Sequence, residues 1–247
     1  MFVYTIVNQK GGCGKTTTVL AMLSYFNSIG KRALAIDFDP QRSLTVLTKA
    51  TDEKTIVDVL ADDVPLKDVI SETSYGDVVA GSQELISLEN QFQGSNLSLL
   101  KKALAKVSKD YDYVMIDCQP GLSGLPIAAM VACNGLIIPS TASLPVLYSI
   151  GQLGETIKAA KKRNPRMKVE GILLQMFDGR LNVSKLMRNT AEQMAEHLGT
   201  KVFVSSIRKG VVIEEAYAMY QGLFQYAPKS RPAEDYRKFM EELLENR

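Results

Sequence analysis

The sequence predicts an α/β fold, one domain over residues 1–247 built on a mostly parallel, twisted β-sheet with helices on both faces. Three observations carry that expectation. Short aliphatic and β-branched runs recur along the chain and are near-continuously apolar, as strands covered on both faces must be. Longer amphipathic stretches separate them and supply the crossovers that parallel strands need. No linker, repeat or low-complexity segment breaks the pattern, and 247 residues suffice for one large core.

The elements come in order along the chain. "FVYTIVN" (2–8) reads as a buried strand, followed by a glycine-rich loop and a helix from Thr16 to about Ile29. Val19, Leu20, Leu23 and Phe26 fall at helical spacing, and Gly30 is a natural stop. "RALAID" (32–37), "YVMID" (113–117), "GLIIPS" (135–140), "GILLQM" (171–176) and "KVFVSSI" (201–207) are further strands. Helices are expected around 145–163, 183–198, 211–220 and 233–245. The less regular region 50–110, with its acidic "ADDVPLKD" and polar "QGSNLS", is expected to hold peripheral helices and loops.

Composition narrows the function. At 46% hydrophobic and 23% charged residues, the chain has the make-up of an ordinary soluble protein. No apolar run approaches the roughly 20 residues of a membrane span. Only Met1 precedes the first strand, so neither a signal peptide nor an N-terminal DNA-binding domain is expected. Three cysteines, Cys13, Cys118 and Cys133, form no disulfide framework and point to the cytosol. His197 is the sole histidine, which leaves little for a His-based metal site or a Ser-His-Asp triad. The net charge of +2 hides an asymmetry: residues 1–150 carry 12 Lys/Arg against 15 Asp/Glu, and residues 151–247 carry 17 against 12. A basic C-terminal portion fits a polyanion partner, although charge also fluctuates along any chain.

The chemistry begins at "NQKGGCGKTTT" (8–18). A strand, a glycine-rich turn and a helix opening with Lys15-Thr16-Thr17 make an anion site. The N–H groups of Gly11, Gly12, Cys13, Gly14 and Lys15 can converge on a phosphate, and the helix N-terminus adds partial positive charge. Lys15 is placed to reach the β- and γ-phosphates, and the Thr16 hydroxyl to bind Mg2+. The loop departs from G-x-x-x-x-G-K-[ST]: Gln9 occupies the first glycine position, and the next residue is an extra cation, Lys10. Asp117 ends "YVMID" at a strand's carboxyl edge, where an aspartate holds the metal, usually through its water. "AIDFDPQ" supplies Asp37 and Asp39, whose i, i+2 spacing turns both carboxylates to one side. One can support the metal shell and the other orient an attacking water; a helix cap ahead of Pro40 is the plainer reading.

"KGGCGKTT" resembles the deviant Walker A motif K-G-G-x-G-K-[ST]-[ST] of the ParA/MinD ATPases, which are P-loop NTPases. "AIDFDPQ", "YDYVMIDCQPG", "LIIPS" and "GILLQMFDGR" resemble, in order and spacing, ParA-type partition proteins of the Soj sort. "KVFVSSIR" and "QYAPKSRPAEDYRKF" extend the likeness over nearly the whole chain, and the C-terminal half looks most like ParA proteins of plasmids and integrative elements. The resemblance implies that Lys10 is the signature lysine, reaching the nucleotide of a second subunit when two ATP molecules are sandwiched between two monomers. It likewise implies Lys15 as the Walker A lysine and Asp39 as the water-positioning residue. It makes Thr16, Asp37 and Asp117 the metal residues. Nucleotide contacts come from residues 10–17 and Asp117, with adenine contacts from the strand end at Gln175 and Met176 and from Ile207 and Arg208 onward.

The same resemblance implies a Mg2+-dependent ATPase, cytoplasmic and nucleoid-associated. Such a protein forms an ATP-dependent homodimer, binds DNA nonspecifically and, with a ParB-like partner, segregates a plasmid, chromosome or mobile element. Two departures stand out. D-x-P-P reads Asp117-Cys118-Gln119-Pro120, and I-P-R-N-V-R reads Ile207-Arg208-Lys209-Gly210-Val211-Val212, so an arginine that relatives use on DNA is Val212. Lys185, Arg188, Arg208, Lys209, Lys229 and Arg231 are the substitute DNA candidates; each is also placed as a solvated surface charge would be. A MinD-like spatial-regulator ATPase acting on a protein or membrane-surface partner without DNA binding is the alternative. The acid-rich "FMEELLENR" disfavours an anionic membrane surface and is expected to pack Phe239, Met240, Leu243 and Leu244 inward. An electron donor of the nitrogenase iron-protein type needs two cluster-bridging cysteines per subunit, and no cysteine lies between Cys13 and Cys118.

Overall fold

Near-continuous apolar runs do become parallel strands here. The structure, a computed structural model, describes residues 1–121 and 123–245. Its strands are β1 (Phe2–Ile6), β2 (Ala33–Phe38), β3 (Ile70–Thr73), β4 (Gly76–Val79), β5 (Tyr113–Cys118), β6 (Gly135–Thr141), β7 (Lys168–Gln175) and β8 (Val202–Ser206). They form one sheet in the order β3-β4-β2-β5-β1-β6-β7-β8, parallel throughout except for the antiparallel β3–β4 pair at one edge.

The early helices are α1 (Lys15–Ser28), α2 (Ser43–Thr48), α3 (Ile56–Ala61), α4 (Leu85–Glu89), α5 (Leu99–Lys106) and α6 (Gly124–Ala132). After them come α7 (Leu144–Arg163), α8 (Asn182–His197), α9 (Val212–Ala218), α10 (Leu223–Tyr226) and α11 (Arg231–Leu244). Alternation along each strand splits the core in two. Tyr4, Ile6, Ala35 and Met115 face a cluster that includes α1, α10 and α11, whereas Val3, Ile36 and Ile116 face one that includes α3 and α5 to α8. Val19, Leu20, Leu23 and Phe26 of α1 are all buried, each contributing about 1.5–3 kcal/mol. Phe239, Met240 and Leu243 of α11 are buried as expected, and Leu244 packs against the same cluster. Among the described residues no helix is long and apolar enough to cross a membrane.

Of the elements that the sequence does not predict, which include α2 and α10, two show why. Region 50–110 holds a hairpin, β3–β4, where the sequence predicts only helices and loops. Its strands are four residues each and half polar, so they are too short to show a period. Gly76, at φ 119°, makes the turn, and the Thr73 hydroxyl donates to its carbonyl at 2.7 Å. The second is α6, apolar almost all round because it lies between α5, α7 and the sheet and presents no polar face.

This connectivity brings the ends of β1, β2, β5, β6 and β7 to one carboxyl edge. The opposite, amino edge receives the ends of the crossover helices.

Candidate functional site

The loop between β1 and α1 is held from below and left open above. Gly14 caps α1 at φ 90° with no side-chain hydrogen bond and no acid in the first turn, so the first N–H groups of the helix are free for an anion. A Cβ at Gly14 would lie 3.0 Å from Cγ of Gln175, and φ 90° already strains any other residue there, so the position favours glycine. Beneath it runs a chain of hydrogen bonds. The Tyr236 hydroxyl donates to Gln175 Oε1 at 3.3 Å, Gln175 Nε2 to Thr18 Oγ1 at 3.0 Å, and the Thr18 hydroxyl to the Gly14 carbonyl at 2.7 Å. Buried Asn8 fastens the other end of the loop: Nδ2 donates to the Pro139 carbonyl, and Oδ1 accepts from Ser149 Oγ and the Lys10 N–H.

The two lysines differ. Lys15 is buried, and its ammonium donates to the Lys10 carbonyl at 3.2 Å, curling back over the loop. The Lys10 side chain is exposed, and its ammonium makes no hydrogen bond or ion pair among the described residues. Cys13 is buried, its thiol donating to the same Lys10 carbonyl; burial raises its pKa, the reverse of a reactive thiolate.

The carboxylates gather where β2 and β5 run side by side. Asp37 and Asp117 are register partners, so both side chains leave the sheet on the α1 face. The Thr16 hydroxyl donates to Asp117 Oδ2 at 2.6 Å, while Oδ1 of the same carboxylate is buried without a partner. Burial raises the pKa of both aspartates, and the proximity of Asp37 adds to the rise at Asp117. Asp37 is already engaged: it accepts from the Thr45 N–H at 2.8 Å, the Thr45 hydroxyl at 2.6 Å and the Asp39 N–H at 3.2 Å, fixing the start of α2. Asp39 accepts from the Gln41 N–H and borders the open crevice. The described residues contain no group of three or more His, Cys, Asp or Glu arranged to hold a metal ion by themselves. An all-oxygen set of one or two carboxylates and a hydroxyl suits Mg2+, which takes its remaining ligands from water and phosphate.

A cavity of about 400 Å3 opens between the loop and the segment 207–217. Met176, Ile207 and Arg208, expected on the base side, line it, as does Gln175, although the Gln175 amide is committed beneath the loop. Sequence reasoning missed Gln41, Ser43, Glu214 and Tyr217, which also line it. Of these only Tyr217 carries a sequence signal, its i, i+4 spacing from Ile213 on α9, which lines the cavity too.

The candidate DNA cations divide. Arg208 closes its guanidinium on Asp235 at 2.7 and 2.8 Å, and Arg188 donates to the Phe203 and Val204 carbonyls. Their chemistry is used within the fold, which counts against a role as free phosphate ligands. Lys185, Lys209, Lys229 and Arg231 are exposed.

Comparison with known proteins agrees with this outline. A model of a family described as an AAA domain matches residues 1–169. Sporulation initiation inhibitor protein Soj of Bacillus subtilis is 34% identical over 252 residues, covering 99% of this chain and 98% of its own length. Chromosome-partitioning ATPase Soj of Thermus thermophilus is 31% identical over 240 residues, covering 97% and 94%. A Mycobacterium smegmatis structure named cobyrinic acid a,c-diamide synthase, with bound ADP and magnesium, superposes with a TM-score of 0.85 at 28% identity, covering 100% of this chain and 95% of that one.

Proposed function

The chain belongs to the AAA-domain family and is a relative of the Soj and ParA partition ATPases; from that premise we propose how its residues carry out the reaction. It is an ATPase, with ATP and magnesium as its cofactors. The loop N–H groups and Lys15 bind the β- and γ-phosphates. Thr16 and Asp117 hold the metal, and the unpartnered Asp117 Oδ1 is the atom left for its shell. Magnesium, when bound, neutralises charge on the β- and γ-oxygens. Asp39 orients the attacking water from the crevice rim, and Asp37 supports it indirectly by anchoring α2 through Thr45. The base lies against Met176, Ile207 and the α9 side of the cavity.

Lys10 carries the rest of the proposal. A cation on a phosphate loop whose ammonium makes no hydrogen bond or ion pair among the described residues of its own subunit is available to another subunit. Placed on a γ-phosphate as charge develops there, it acts as a finger supplied in trans. It also ties dimerisation to ATP, since two cationic loops repel until phosphate lies between them. The resulting homodimer binds DNA nonspecifically, and a ParB-like partner stimulates hydrolysis and release, segregating a plasmid, chromosome or mobile element; its place is the cytoplasm, on the nucleoid. Lys10→Ala should abolish ATP-dependent dimerisation and leave nucleotide binding to the monomer intact. Light scattering with ATP and with ADP tests this, and a variant that still dimerises refutes it. Absence of DNA retention at low salt would instead favour a MinD-like regulator working through a protein or membrane-surface partner.

A further inference from the structure

The C-terminal charge surplus has a single source. Residues 158–168 hold Lys158, Lys161, Lys162, Arg163, Arg166 and Lys168 and no acid, whereas the rest of 151–247 holds eleven Lys/Arg against twelve Asp/Glu. Outside these eleven residues the whole chain carries 23 Lys/Arg and 27 Asp/Glu. One short segment therefore makes an otherwise acidic protein basic.

All six cations are exposed, on the last turns of α7 and the connection into β7, at the sheet's amino edge. Lys158 pairs with Glu155 at 2.7 Å; Lys161, Lys162 and Arg163 make no ion pair among the described residues. The C-terminal dipole of α7 favours cations in its last turn, but that effect ends within the turn and leaves Arg166 and Lys168 outside it. The segment is also held rigid. Buried Asn164 donates from Nδ2 to the carbonyls of Met130 at 3.1 Å and Cys133 at 2.6 Å, and Ala160 and Met167 are buried on either side of it. Like charges are thus fixed close together, and that arrangement is stabilised by a polyanion.

We propose that this shelf is the surface through which the chain binds duplex DNA, by its phosphates and without regard to sequence; the inference rests on the DNA-binding reading of the function and gives it a place. A membrane is the other extended polyanion. Between Tyr148 and Met176, however, no large apolar side chain is exposed to enter a bilayer. Phosphate contacts need only fixed cations. The shelf also lies at the edge opposite the nucleotide crevice, so DNA held there leaves the crevice free.

The test is retention of a short duplex of arbitrary sequence by the full chain with ATP, across a salt series. The variant K161E/K162E/R163E should bind about tenfold or more weakly, and its slope of log affinity against log salt should flatten by about 2 to 3. K161R/K162R/R163K should bind as the parent does, and basal ATP hydrolysis should be unchanged in both. If the parent binds and the charge-reversed variant binds equally well with the same slope, the shelf is overturned while DNA binding stands. If the parent is not retained even at low salt, the DNA-binding reading fails and takes the shelf with it. Flotation with phosphatidylglycerol vesicles in the absence of duplex retention would overturn the choice of partner.

Discussion

The two edges of the sheet carry their charged groups in opposite ways. At the carboxyl edge Lys15, Asp37, Asp39 and Asp117 are buried, and most of their polar atoms have named partners. At the amino edge six exposed cations lie on the last turns of α7 and the anchored connection into β7. The first arrangement selects by position, because a donor displaced by an ångström in a dry site loses most of its effect. The second selects by charge density alone, and salt screens it. The same sheet can therefore offer one site that resolves single atoms and another that registers only total charge.

Substitutions should separate the two regimes by size of effect. The largest expected effect is at the carboxyl edge: Lys15→Ala should lower ATP hydrolysis on the order of a thousandfold, seen by phosphate release, with an unchanged circular dichroism spectrum. Next, Asn164→Ala removes the amide that donates to the Met130 and Cys133 carbonyls and should cost about 2 kcal/mol, a Tm lower by about 4–8 °C. It should weaken DNA retention more than hydrolysis; equal loss of both would mean that the edges are not independent. Gly14→Ala forces a side chain into φ 90° and toward Gln175. About 1–2 kcal/mol of strain should appear as a Tm lower by several degrees, together with weaker nucleotide binding by titration calorimetry. Smallest of all, Glu155→Gln removes an exposed ion pair and should leave Tm unchanged within error.

Legibility in the sequence divides along the same line. The strands at residues 2–8, 32–37 and 113–117 can be read because burial on both faces demands unbroken apolar runs, and the phosphate loop because glycines, a lysine and a threonine stand at fixed offsets from them. The β3–β4 hairpin cannot, since an edge pair of four-residue strands obeys neither condition. Nor can the engagement of Asp37 with Thr45, or of Arg208 with Asp235, which depends on partners brought close by the fold. The run at 158–168 is in plain view but reads only as a regional charge surplus; that it is exposed, anchored and at the far edge is a tertiary fact.

The hydrogen bonds beneath Gly14 have a consequence for how the molecule comes into being. The loop leaves the ribosome well before α11, yet its floor ends there, at Tyr236. A nascent chain with a finished loop still lacks the group that holds Gln175 in place. Firm grip on a phosphate should therefore arrive only once α11 has been made and has packed, which keeps chains that lack it from competing for nucleotide.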